Sequence, residues 1–150
     1  MTTTTLTAPT GTAALARAAN PELAALLLRV TLGGLFLAHA ALKIFVFTPA
    51  GTAQYFASLG LPEALAYLVI AAEVAGGVAL LAGVAVRTVA LALVPILLGT
   101  IYTPHGAAGF IFSNEGGGWE FPAFWAVALL VQALLGNGAL ALGRAARAVD

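Results

Sequence analysis

PEALAYLVIAAEVAGGVALLAGVAV, residues 62–86, is almost wholly apolar, yet it carries Glu73 near its middle. A helix that crosses a bilayer needs about 20 apolar residues, and this stretch is long enough. A carboxylate at that depth costs at least about 2.5–3.5 kcal/mol on insertion scales, so it is usually paired, protonated or functional. The stretch therefore predicts a membrane-spanning helix with a polar centre. Three further apolar runs carry polar exceptions of their own: His39, Lys43, Tyr102, His105 and Glu120.

The composition supports the same class. Apolar residues make up 61% of the 150 and charged ones 8%, against about 25% charged in a soluble domain. So few charges cannot cover a soluble surface. Six basic and six acidic residues balance, so the chain has no basic footprint for nucleic acid. It has no cysteine, which excludes disulfides, thiolate metal sites and a cysteine nucleophile from the chain itself. The expected fold is all-α: an integral membrane bundle of four transmembrane helices. The helices are expected over about 22–47, 62–86, 88–104 and 121–140, after a flexible tail at 1–20 and within a single domain, 21–150.

Local signals punctuate these runs. Asn20 is placed to cap the first helix, Pro21 suits its first turn, and Glu22 suits the positive end of its dipole. Pro49 and Gly51 close the first run and Gly60-Leu61-Pro62 opens the second. Pro95 predicts a kink in the third, because its ring removes a backbone donor. Arg17 precedes the first run, Arg87 joins the second to the third, and Arg144 and Arg147 follow the fourth, whereas 48–61 and 106–118 hold no Lys or Arg. By the positive-inside rule both termini and Arg87 face the cytoplasm of a multi-pass membrane protein, and the two Arg-free loops face outward. Ala38-His39-Ala40 has the pattern of a signal-peptide cleavage site. Arg29 would interrupt an unusually long leader, however, so the first run reads as an uncleaved span.

The polar residues gather toward the outer half. His39 and Lys43 stand four apart on one helical face, and Glu73 comes from the middle of the next span. A polar stripe on an apolar helix should point into the bundle or a wet cavity. Glu73, His39 and Lys43 are thus expected to line a pocket open to the outer side, with Tyr102, His105, Glu120 and Trp119 as candidates for its rim. His39 and Glu73 together are able to carry a proton; a structural ion pair of Glu73 with Lys43, or a hydrogen bond to His39, is the alternative. Lys43 can instead snorkel to the headgroups. Arg29 reads as an inner-interface anchor, Tyr102, Trp119 and Trp125 as part of an aromatic belt, His105 as an ordinary loop residue, and Gln132 as a hydrogen bond between helices. Two histidines and several carboxylates are present, but no tight spacing such as HExxH occurs, and no haem or metal motif is evident. Small residues in the second span, with Gly76 and Gly77 at its centre, and Gly33-Gly34 in the first predict close helix approach. The Gly116-Gly117-Gly118 run is a turn, with no strand or Lys-Ser/Thr to make it a phosphate loop.

The order of these features resembles the DoxX family of small four-helix bacterial membrane proteins, over about residues 23–142. The resemblance rests on His39-x-x-x-Lys43 after Leu35-Phe36-Leu37, on Phe56-Ala57-Ser58-Leu59-Gly60-Leu61-Pro62, and on Glu73-x-x-Gly76-Gly77 followed by Leu80-Leu81-x-Gly83. Arg87 and Gly118-Trp119-Glu120-Phe121-Pro122 complete it. The family's glycine after the histidine is Ala40 here. Gly136-Asn137-Gly138 is similar to its terminal Gly-Pro-Gly, but the Arg-Tyr and Asp that follow are replaced by Ala139-Leu140 and Ala141-Leu142.

The resemblance implies quinone-coupled oxidation of sulfur compounds, or membership of a membrane oxidoreductase complex in oxidative-stress defence. A wider grouping with MauE-like proteins implies thiol-redox support, which would need a cysteine-bearing partner. The resulting expectation is a membrane subunit of a redox system. It would handle a non-covalently bound quinone or similar small apolar redox molecule through Glu73, His39 and Lys43, with the lipid bilayer and a partner oxidoreductase subunit or a second copy of the chain as partners. The alternatives are a non-catalytic anchoring or assembly subunit and, third, a small-molecule carrier.

Overall fold

The computed structural model describes residues 20–143. The predicted tail at 1–19 and the orientation signals Arg17, Arg144 and Arg147 lie outside the described residues. Five α-helices follow in order: α1 Pro21–Ala41, α2 Pro49–Ser58, α3 Glu63–Ala82, α4 Val86–Thr100 and α5 Glu120–Leu135. The described residues contain no strand. Asn20 caps α1 as its sequence predicts, its Oδ1 accepting from the Leu23 N–H at 3.0 Å. Gly83, in the left-handed conformation at φ 71°, ends α3; glycine takes that conformation without steric cost.

α1 packs chiefly on α3 and α4 chiefly on α5, while α3/α4 and α1/α5 contacts close the bundle. The core joins Leu32 and Phe36 of α1, Leu80 of α3, Leu93 and Leu97 of α4, and Trp125 and Leu129 of α5. The outward faces are also apolar: Leu27, Leu68, Leu98 and Leu134 are all exposed. That pattern suits a bundle solvated by lipid chains. With their π-helical extensions, three units have the length and composition to cross a membrane: Pro21–Val46, Glu63–Ala82 and Val86–His105.

Close approach occurs where the glycines predict it, and more locally. A Cβ on Gly33 would stand 2.9 Å from the Gly77 carbonyl oxygen, and one on Gly77 3.0 Å from that of Gly33. Those two residues are where the backbones of α1 and α3 cross. Gly76 is filled from the other side by Leu93, and Gly34 faces open space.

Three boundaries differ from expectation. The predicted loop 48–61 contains α2, because Thr48 Oγ1 accepts from the Gly51 N–H at 3.1 Å, Pro49 suits the first turn, and Thr52 and Ala53 are buried. The fourth helix ends at Leu135, not near 140. Gly136 (φ 85°) and Gly138 (φ 68°) turn the chain back, and the Ala139 N–H donates to the Glu22 carbonyl at 3.0 Å. At 16 residues, α5 is about 24 Å long, short of the ~30 Å hydrocarbon core. α1 and α4 end in π-helical turns, Leu42–Val46 and Ile101–His105, and Pro95 lies inside α4.

Candidate functional site

The final turns of the first span carry the site. A π-helical turn widens the coil beyond the α-helical repeat and is frequent at functional positions. Here it begins at Leu42, just before Lys43. Lys43 Nζ donates to both carboxylate oxygens of Glu73, at 2.8 and 2.9 Å. The Glu73 side chain is 5% exposed and that of Lys43 19%, so Lys43 does not snorkel away from the bundle. Glu73 lies on the buried stripe of α3 with Ala66, Ile70, Gly76, Gly77 and Leu80. The stripe turns its carboxylate inward. Thr52 Oγ1 stands 3.3 Å from the Lys43 carbonyl, tying α2 to the same corner.

His39 lies one turn before Lys43 and is half-buried. Its ring meets that of Trp125 edge-on, with centroids 5.0 Å apart, and Phe36 packs on Trp125 at 4.6 Å. Trp125 is 4% exposed, which corrects its reading as a belt residue. It shares the stripe of α5 that buries Pro122, Leu129 and Gln132, at offsets of −3, +4 and +7. The indole N–H is buried with no hydrogen-bond partner, a costly state for a donor. The site therefore joins a closed cation–carboxylate pair to an imidazole and an unsatisfied indole donor.

The predicted rim residues have contacts of their own. Tyr102 is 87% exposed. His105 Nδ1 contacts the Gly117 carbonyl at 2.7 Å and holds the following loop. Trp119 stacks on Phe110 at 4.8 Å. Glu120 Oε1 accepts from the Phe112 N–H at 2.7 Å. Among the described residues none of the four hydrogen-bonds to Lys43 or Glu73.

Arg29, expected at the inner interface, and Gln132, expected to bridge helices, are placed differently by the structure. Arg29 is 1% exposed and is not an interface anchor. Its Nη1 donates to the Leu80 and Leu81 carbonyls, both at 2.9 Å, and its Nη2 to the Ala139 carbonyl at 3.1 Å. These are two carbonyls of the last turn of α3, of which that of Leu80 also accepts from the Gly83 N–H at 3.1 Å, and one of the returning C-terminal segment. A Cβ on Gly83 would strike Arg29 and Ala141, so glycine also makes room for the guanidinium. Gln132 does not bridge helices; its Nε2 donates to the Gly136 carbonyl at 2.8 Å.

Fold and site together define a small helical membrane protein with a buried Lys–Glu pair beside an aromatic–imidazole contact. The family model of DoxX matches residues 24–106. The Bacillus subtilis (strain 168) protein named "Putative oxidoreductase CatD" is 36% identical over 121 residues, covering 81% of this chain and 85% of that protein. No solved structure matches the chain. The chain belongs to the DoxX family.

Proposed function

We propose that this chain is the membrane subunit of a bacterial inner-membrane redox system, and that it holds a quinone or similar small apolar redox molecule beside Glu73, His39 and Lys43. The observation that carries the reading is the buried Trp125 Nε1–H, which has no partner and lies against His39. An oxygen acceptor such as a quinone carbonyl fits an unsatisfied donor and an imidazole on one apolar wall. When bound, the quinone supplies two-electron, two-proton chemistry.

The residues of the chain supply the rest. Trp125 Nε1–H donates to the ligand oxygen and orients it. A His39 ring nitrogen holds or passes the proton. Lys43 Nζ offsets negative charge developing nearby, and Glu73 keeps that ammonium in place or takes a proton from it. The chain has no cysteine, so thiol chemistry would belong to a partner or a substrate. A partner oxidoreductase is consistent with the name of the Bacillus relative.

The bidentate Lys43–Glu73 pair also favours a second reading, in which it fixes helix register in an anchoring subunit. Extraction of wild-type and Glu73→Gln protein purified in mild detergent separates the two. Quinone present in the wild type and lost from a folded Glu73→Gln variant supports the redox reading. A stoichiometric partner protein with no quinone in either form supports the anchor, as does full function in the charge-swapped pair.

A further inference from the structure

The end of the bundle that carries Glu120 has a second concave surface, separate from the Lys43–Glu73 pair. A depression of about 610 Å³ is lined by Phe110, Phe112, Glu120, Phe121 and Phe124. That volume lies within the ~300–1,000 Å³ range of small-molecule sites.

Backbone pairing builds it. The Trp119 N–H donates to the Gly109 carbonyl and the Glu120 N–H to that of Phe110, each at 3.0 Å, and the Phe112 N–H donates to Glu120 Oε1 at 2.7 Å. These bonds hold the loop rings against α5, where Phe112 meets Phe121 at 6.2 Å. Gly118 permits the pairing, since a Cβ there would strike the Ile111 carbonyl.

The charge of this end selects the occupant. Its acidic residues are Glu63, Glu115 and Glu120, besides Glu73. Among the described residues its one Lys or Arg is Lys43, which is bound to Glu73; Arg29 and Arg87 belong to the opposite end. Beyond the Phe112 N–H, the Glu120 carboxylate has no hydrogen bond or ion pair from the described residues. A neutral apolar ligand would leave that carboxylate facing four rings without a countercharge, and an anion would be repelled. Ring faces and a carboxylate both attract an organic cation.

We propose that this depression binds a small organic cation, an alkylated ammonium carried on an apolar body. The depression adjoins the position proposed for the quinone through Phe121 and Trp125, but its proposed occupant is argued from its own rings and carboxylate.

The test is a titration of the purified full chain in nonionic maltoside micelles with benzyltrimethylammonium, using benzyl alcohol as the uncharged aromatic control. Trp119 packs on Phe110 and Trp125 on Phe121 at 5.7 Å, so tryptophan fluorescence reports occupancy from both sides. Saturable binding of the cation is expected, with benzyl alcohol at least about tenfold weaker. Glu120→Gln keeps an acceptor for Phe112 and should weaken the cation about tenfold; Phe124→Leu should weaken it several-fold without touching that bond. Equal binding of benzyl alcohol, or cation binding unchanged in both variants, would overturn the proposal and leave an apolar face that meets lipid. Absence of saturable cation binding would overturn it as well. Were Glu120→Gln not to fold, the cation-to-alcohol ratio in wild type and Phe124→Leu decides.

Discussion

Replacing Arg29 with methionine should destabilise the bundle by about 3 kcal/mol. The guanidinium donates to three carbonyls, one in a fully buried bond and two in partly buried ones. Methionine fills much of the stem's volume and removes a buried charge, so the loss is three hydrogen bonds, each at about 1 kcal/mol; the Leu80 carbonyl keeps the Gly83 N–H at 3.1 Å. That corresponds to a shift of more than about 100-fold in the folded-to-unfolded ratio. Lysine keeps the charge but offers a single nitrogen in place of the planar fork, so Arg29→Lys should recover less than half. Equilibrium unfolding by denaturing detergent titrated into nonionic micelles measures both variants. An anchor at the headgroups would lose no more than an exposed ion pair, under about 1 kcal/mol. A methionine variant within that limit would refute the reading of Arg29 as the clasp between α3 and the C-terminal return.

Lys43→Met should cost about 3–5 kcal/mol by leaving Glu73 buried without its partner, and adding Glu73→Met should restore much of it; the four-member stability cycle measures this coupling. Gly33→Ala should destabilise by about 1–3 kcal/mol, because its Cβ meets the Gly77 carbonyl, whereas Gly34→Ala, facing open space, should be neutral or gain up to about 1 kcal/mol by helix propensity; thermal unfolding of the two separates crossing from composition. For orientation, single cysteines at Ser58 and Ser113 of the cysteine-free chain should react with a membrane-impermeant maleimide in intact cells, and one at Thr88 should react after lysis alone.

The apolar runs made the spans legible, since a stretch such as 62–86 has few options but a membrane. Glu73 was legible for the same reason: a midplane carboxylate must meet something, and Lys43 was one of two named partners. α2 was less visible, although Thr48 and Pro49 form a cap-and-first-turn signal, because its ten residues sit where a connection of irregular backbone also fits. The early end of α5 depends on the positive φ of Gly136, which an apolar run does not reveal.

Arg29 and Trp125 were misread for a shared reason. Each belongs to a residue type that favours the membrane interface, and that preference outweighed a stripe already present in the chain. Arg29 stands with Ala25, Leu32, Phe36 and Ala40, all buried, at offsets of −4, +3, +7 and +11. Such spacing marks the inward face of a helix. The contacts of the rim candidates were not legible for a different reason. Position along a helix does not say which face a residue occupies, and the loop pairing at 109–120 brings the Phe112 N–H to the Glu120 carboxylate.

The most direct test of the Glu73 site is saturable quenching of Trp125 by a short-chain quinone. The chain has two tryptophans, so a Trp119→Phe background leaves Trp125 as the reporter beside His39. The account predicts saturable quenching there, abolished by adding Glu73→Gln in a variant that retains its helix content and thermal midpoint. Quenching that rises linearly without saturation, or saturable quenching unchanged by Glu73→Gln, would contradict it.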